Sequence, residues 1–190
     1  MILLINACVR KESRTKRLAD ALIEKLEGEL EEVKLWETDL PVADDAFLEK
    51  RDALITGEEW SNPVFELARQ FSSAETIVVA APYWDLSFPA VLKQYFEQVN
   101  VTGITFRYTP EGVPEPLCKA KRLFYVMTAG GTFAPEEFGF GYVKMLAQSF
   151  YGIADVELIK AVGLDIDGAD SEGILEEAMR GIERNTLRKT

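Results

Sequence analysis

The stretch Thr76-Ile-Val-Val-Ala-Ala-Pro-Tyr-Trp-Asp-Leu-Ser-Phe-Pro-Ala-Val-Leu-Lys-Gln-Tyr-Phe96 decides the fold, because an apolar strand, an aromatic loop and a proline-started helix follow one another without a gap. Ile77 to Ala81 carries no polar residue on either face, as a strand covered on both sides by helices does in a parallel α/β sheet. Pro82 ends the ladder by removing a donor, and Pro89 suits the first turn of the following helix. The residues between them therefore form the loop at the carboxyl end of a central strand, where open α/β sheets bind their ligands. Tyr83, Trp84, Leu86 and Phe88 crowd this loop, and so much apolar surface needs core, a partner or a flat ligand to cover it.

Outward from this unit the chain alternates strand and helix. Met1 to Asn6 reads as a buried strand, Ser13 to Leu26 as its helix, and Glu31 to Trp36 as a charged strand nearer an edge. Asp44-Asp45 caps a helix running to about Ile55, and Asn62-Pro63 starts another with Val64, Leu67, Ala68 and Phe71 inward. After the helix from Pro89 to about Val101, residues 103–117 read as an excursion or small hairpin around the turn Pro110-Glu-Gly112. Lys121 to Thr128, Glu136 to Tyr151, Val156 to Val162 and Ser171 to Arg188 complete the series as strand, helix, strand and helix. The expected fold is an α/β three-layer sandwich, one domain over 1–190, with a five-stranded parallel sheet in the order 2-1-3-4-5. That order brings three loops together at its switch point: about 7–15, 82–88 and 128–133.

Composition narrows the chemistry. At 190 residues and 47% hydrophobic content the chain supports one well-buried core. A net charge of −11 argues against nucleic acid or an anionic membrane as partner. Neither a membrane-spanning run nor a signal peptide is evident, so the cytoplasm is the expected location. With no histidine there is no Ser-His-Asp or Cys-His nucleophile and no common zinc site, and no metal is expected. Cys8 and Cys118 read as buried free thiols. Catalysis would have to come from carboxylates, Tyr, Lys or a cofactor.

The first loop places Arg10, Lys11, Arg14, Lys16 and Arg17 about a helix N-terminus, where the macrodipole disfavours cations unless an anion sits there. Ser13 and Thr15 add hydroxyls, so the loop is either a phosphate site or an ordinary cap with solvated basic residues. It contains neither a Gly-x-x-x-x-Gly-Lys-Ser nor a Gly-x-Gly-x-x-Gly motif. The aromatic loop is either core or a platform for a flat ring, and Gly130-Gly131 either an ordinary turn or a place where backbone approaches that ring.

Ala81-Pro82 with the aromatic loop, Leu92-Lys-Gln-Tyr-Phe96, Thr128-Ala-Gly-Gly131, the Ser13-Arg-Thr15 cluster and above all Gly103-Ile-Thr-Phe-Arg-Tyr-Thr109 resemble the FMN-dependent NAD(P)H oxidoreductases of the flavodoxin-like fold, in their azoreductase and quinone-reductase branch. The resemblance covers essentially the whole chain. It implies FMN as cofactor, NADH or NADPH as donor, and two-electron ping-pong transfer to quinone, azo or nitroaromatic acceptors. It also implies a homodimer with FMN sites at the interface. Carried over, Ser13, Arg14 and Thr15 would hold the FMN phosphate, Pro82, Tyr83, Trp84, Asp85 and Leu86 would follow the ring, and Thr128, Ala129, Gly130 and Gly131 would meet its polar edge. Phe106 and Tyr108 would lie at the acceptor pocket, contributed across the dimer, with Tyr108 or water as proton source. The chain departs from the family at Asp85, where an amide is common, and at Cys8, where a small hydroxyl residue is expected. The competing class is a flavodoxin-type single-electron carrier, which the negative charge favours slightly.

Overall fold

A computed structural model describes residues 1–186, so the end of the last helix, expected to reach Arg188, lies outside the described residues. In chain order the elements are β1 (Ile2–Asn6), α1 (Arg14–Ile23), β2 (Leu30–Lys34), α2 (Asp45–Thr56), a 3-10 turn (Pro63–Phe65) and α3 (Glu66–Ser73). There follow β3 (Thr76–Ala80), α4 (Ala90–Val99), β4 (Phe106–Tyr108), β5 (Pro114–Pro116), β6 (Arg122–Thr128), α5 (Phe140–Ser149), β7 (Asp155–Ala161) and α6 (Ser171–Thr186). No described helix is long and apolar enough to cross a membrane.

The expected strand order, 2-1-3-4-5, is corrected: the five-stranded sheet runs β2-β1-β3-β6-β7, and β4 and β5 form a separate two-stranded sheet. The excursion at 103–117 is the cause. It forms the small hairpin read from the sequence, Phe106 pairing antiparallel with Pro116 and Tyr108 with Pro114, and its two strands take the fourth and fifth places in the chain. All pairings of the main sheet are parallel.

Alternation along the central strands divides the core in two. Leu3, Ile5, Ile77, Val79, Leu123 and Tyr125 point to the face covered by Phe71 of α3, Leu92, Tyr95 and Phe96 of α4, and Val143 and Ala147 of α5. Ile2, Leu4, Val78, Ala80, Phe124 and Val126 point to the other, where Leu18 and Leu22 of α1 meet Leu175 and Ile182 of α6. Because both faces are buried, β1 and β3 are apolar except at one end of each, Asn6 and Thr76. By contrast β2 buries only Val33, as an edge strand of charged residues would.

The small sheet lies at the amino-terminal end of the strands. Helix α4 starts from the loop after β3 and runs back past the sheet. After β5, the chain returns beside the residues that precede β3: the Lys119 N–H donates to the Ser72 carbonyl at 2.9 Å and the Lys121 N–H to Glu75 at 3.1 Å.

Candidate functional site

At the other end of the sheet, the loops after β1, β3 and β6 converge, and the loop after β7 joins them. Asn6, buried at the end of β1, turns the chain outward: its Oδ1 accepts the Cys8 N–H at 2.8 Å while its Nδ2 donates to Glu32 at 2.7 Å. Cys8 is buried beneath the loop, its Sγ 3.6 Å from the Ala80 carbonyl, and burial pushes its thiol up to about 11. Ser13, in extended conformation, caps α1 by accepting the Lys16 N–H at 3.2 Å. The first turn of α1 holds no acidic residue. Thr15 is buried and shares a 2.6 Å hydrogen bond with Thr128, tying the first loop to the third.

The second loop is a two-residue turn. Trp84 and Ser87 exchange backbone hydrogen bonds at 3.0 and 2.8 Å, and both intervening residues have positive φ, +50° at Asp85 and +67° at Leu86. Two consecutive positive φ values are the mark of a type I′ turn, which favours Asn-Gly or Asp-Gly. Asp85 meets that preference; Leu86 does not, and it sits strained at a cost of order 1 kcal/mol or more. The turn holds Trp84 and Leu86 outward, 38% and 47% exposed. Tyr83 and Ser87 anchor it to the loop after β6 by donating to the carbonyls of Pro135 at 3.1 Å and Phe138 at 2.6 Å.

The third and fourth loops are laced together. The N–H groups of Gly163, Leu164 and Asp165 donate to the carbonyls of Gly131, Ala129 and Gly130 at 3.0, 3.2 and 2.9 Å. A Cβ at Gly130 would fall 2.2 Å from the Asp165 carboxylate, so any side chain there would push Asp165 out of its place. Arg14 completes the frame, donating to the Leu164 carbonyl at 2.9 Å and to Asp165 at 2.7 Å.

Between the loops lies a cleft of about 270 Å³. Of the residues expected at the site, Ser13, Arg14, Thr15, Pro82, Tyr83, Trp84, Thr128 and Gly130 line it together. Asp85, Leu86, Ala129 and Gly131 belong to the same loops without lining it. Phe106 and Tyr108 are not brought there: they lie on β4 at the opposite end, Phe106 buried against Phe150 with ring centroids 4.7 Å apart and Tyr108 half exposed. Asp165 was not foreseen, because nothing in a single aspartate after the last strand marks it; only its docking on Gly130 and Arg14 does. A larger hollow of about 840 Å³, walled by charged residues of β2 and α3, shares no residue with these loops.

A family model described as flavodoxin-like fold matches residues 1–185. An FMN-dependent NADH:quinone oxidoreductase of Lachnoclostridium phytofermentans is 38% identical over 185 residues, 93% of this chain and 92% of that one. The chain belongs to the flavodoxin-like family that contains these oxidoreductases. Another member, the FMN-dependent NADH:quinone oxidoreductase of Coprothermobacter proteolyticus, is 36% identical and covers 92% of this chain and 90% of its own. Among solved structures, an azoreductase of Bacillus anthracis superposes with a TM-score of 0.83 at 23% identity, covering 98% of each chain. A second from that organism, an FMN-dependent NADH-azoreductase in complex with FMN, gives 0.82. At this identity the two speak for the flavodoxin-like fold alone.

Proposed function

We propose that this protein is an FMN-dependent NAD(P)H oxidoreductase that passes two electrons in ping-pong fashion to quinone, azo or nitroaromatic acceptors. One observation carries the reading: a single cleft has a capped helix N-terminus free of carboxylates in its first turn at one side and an outward aromatic turn at the other. Such a cleft suits a ligand with an anionic tail and a flat apolar ring. FMN is such a ligand, and its relatives' names carry it. When bound, it supplies the two-electron chemistry between nicotinamide and acceptor that no side chain of this histidine-free protein provides.

The chain's own part is binding, orientation and exclusion of water. Ser13 and the free N–H groups of α1 hold the phosphate, which carries between one and two negative charges at neutral pH. Pro82, Tyr83, Trp84, Asp85 and Leu86 form the ring's platform, with the strained turn keeping Trp84 and Leu86 from collapsing into the core. At the turn of Thr128, Ala129, Gly130 and Gly131 the N–H groups of Gly130 and Gly131 meet the ring edge, the carbonyls being taken by Tyr83 and the loop after β7, while the Thr15–Thr128 bond fixes the distance between tail and ring sites. The acceptor pocket is completed by a second copy. Tyr108 stands half exposed at the far end of its own chain, so it reaches a cleft only across a homodimer, where it positions the acceptor or yields it a proton. We place this dimer in the cytoplasm and read residues 1–190 as one domain.

Steady-state turnover of a small benzoquinone with NADH tests the reading. Parallel lines in double-reciprocal plots at several quinone concentrations are expected. Turnover absent with both NADH and NADPH, in protein that holds FMN, would leave the single-electron carrier instead.

A further inference from the structure

Five basic residues surround the start of α1, and the structure separates them by what they already hold. Arg17 donates to both oxygens of Glu172, at 2.9 and 2.7 Å, with Glu12 and Glu176 also near enough to raise its pKa. Lys16 pairs with Asp20 and lies 4.0 Å from Glu32. Arg14 spends its guanidinium fork on the Leu164 carbonyl and the Asp165 carboxylate. Among the described residues Arg10 and Lys11 enter no ion pair, and of these two only Arg10 lines the cleft.

Resting on the FMN reading, we propose that Arg10 is the side chain that meets the charge of the cofactor's phosphate. Arg14, although it stands at the first position of α1, is a positioning residue whose side chain braces the loop after β7. The acceptors of Arg14 cannot follow it toward a phosphate, because Gly163, Leu164 and Asp165 are fixed to Gly131, Ala129 and Gly130 by three backbone hydrogen bonds. Turning the fork away would also leave the Asp165 carboxylate without its counter-charge beside a newly arrived dianion, two like charges on one cleft wall. What Arg14 does offer the phosphate is its backbone N–H, free as one of the first four of a helix. Arg10 has no such commitment. It stands on the exposed run Val9 to Glu12, and the carboxylate of that run, Glu12, adds to the field at Arg17. The division makes the two arginines separable by experiment: one recognises the phosphate group, the other shapes the whole cleft.

The test uses the full-length chain stripped of flavin and titrated with FMN and, separately, with riboflavin, which lacks the phosphate. Removing a charge-assisted hydrogen bond lowers affinity by roughly 10- to 100-fold. Arg10→Gln is expected to weaken FMN by that factor, to leave riboflavin unchanged, and to flatten the salt dependence of FMN binding, with Arg10→Lys recovering part of the loss. Arg14→Gln is expected to weaken both flavins by the same factor and to lower the unfolding midpoint. A loss confined to FMN in Arg14→Gln overturns the proposal, whether or not Arg10→Gln shares it, and so does an unchanged FMN affinity in Arg10→Gln. Wild-type protein that binds neither flavin takes down the FMN reading itself, a different and earlier failure.

Discussion

Leu86 shows how a single residue can favour the site over the fold. At φ +67° its backbone is strained, yet its side chain is about half exposed, so it returns little packing to its own chain. Leu86→Gly is expected to leave stability unchanged or raise it by up to about 1 kcal/mol, while FMN affinity falls ~10-fold through lost apolar cover. Urea unfolding and a flavin titration on one variant would show the two effects diverging. Tyr95 is the opposite case: it is fully buried, and its hydroxyl has no hydrogen-bond partner among the described residues. Tyr95→Phe should therefore stabilise the protein by about 1 kcal/mol, and a loss of stability would show that the hydroxyl is satisfied. The two thiols set an alkaline limit. Burial raises Cys8 from 9.0 to about 11 and Cys118 to about 12, so folding holds both neutral after the unfolded chain has begun to ionise. The stability they contribute is intact below pH 9 and is lost as pH climbs toward 11 and 12. The unfolding midpoint should fall across that window, less steeply in Cys8→Ala. Cys8, read from the sequence as a buried free thiol, is buried, whereas Cys118, read likewise, is only partly covered. The strain at Leu86 and the unpaired Tyr95 hydroxyl are not legible in the same way: Asp85-Leu86 looks like any loop pair, and what meets a hydroxyl depends on which elements close over it.

Elements were more legible than their ends and partners. The apolar run Ile77 to Ala81 and the helical spacing after Pro89 led directly to β3 and α4, because burial on both faces leaves a pattern in the sequence itself. The helix expected from Glu136 begins only at Phe140, since the chain before it is held at Pro135 by Tyr83 and at Phe138 by Ser87. The turn at Pro110-Glu-Gly112 marks the hairpin that the run from Gly103 to Thr109 opens, but nothing in the sequence shows that its two short arms form a sheet of their own, and that is what changes the strand order. Gly103 has a physical reason: φ is +95° and a Cβ would fall 2.6 Å from the Trp60 ring. Gly103→Ala should cost more than about 2 kcal/mol and disturb the near-ultraviolet signal of Trp60. At the first loop, the basic residues gathered near α1 were plain, but three of them are matched by carboxylates, and the partners of Arg14 and Arg17 arrive from loops and helices some 150 residues away. Charge in a sequence reports what is present and stays silent about what neutralises it.

For the whole molecule, the cleft and Tyr108 occupy opposite ends of one chain, which makes assembly part of the proposed mechanism. Sedimentation should give twice the chain mass, and Tyr108→Ala should lower turnover of the acceptor without weakening FMN. Acidic charge, −11 over 190 residues, favours neutral aromatic acceptors over anionic ones. On the proposed function, the four-loop cleft binds FMN and lets nicotinamide reduce it. The most direct test of this is the absorption spectrum of the purified protein, repeated after NADH or NADPH is added without oxygen. Flavin absorption that bleaches within the mixing time is expected. A colourless protein that refuses added FMN, or a bound flavin that neither nucleotide reduces, would contradict the proposed function.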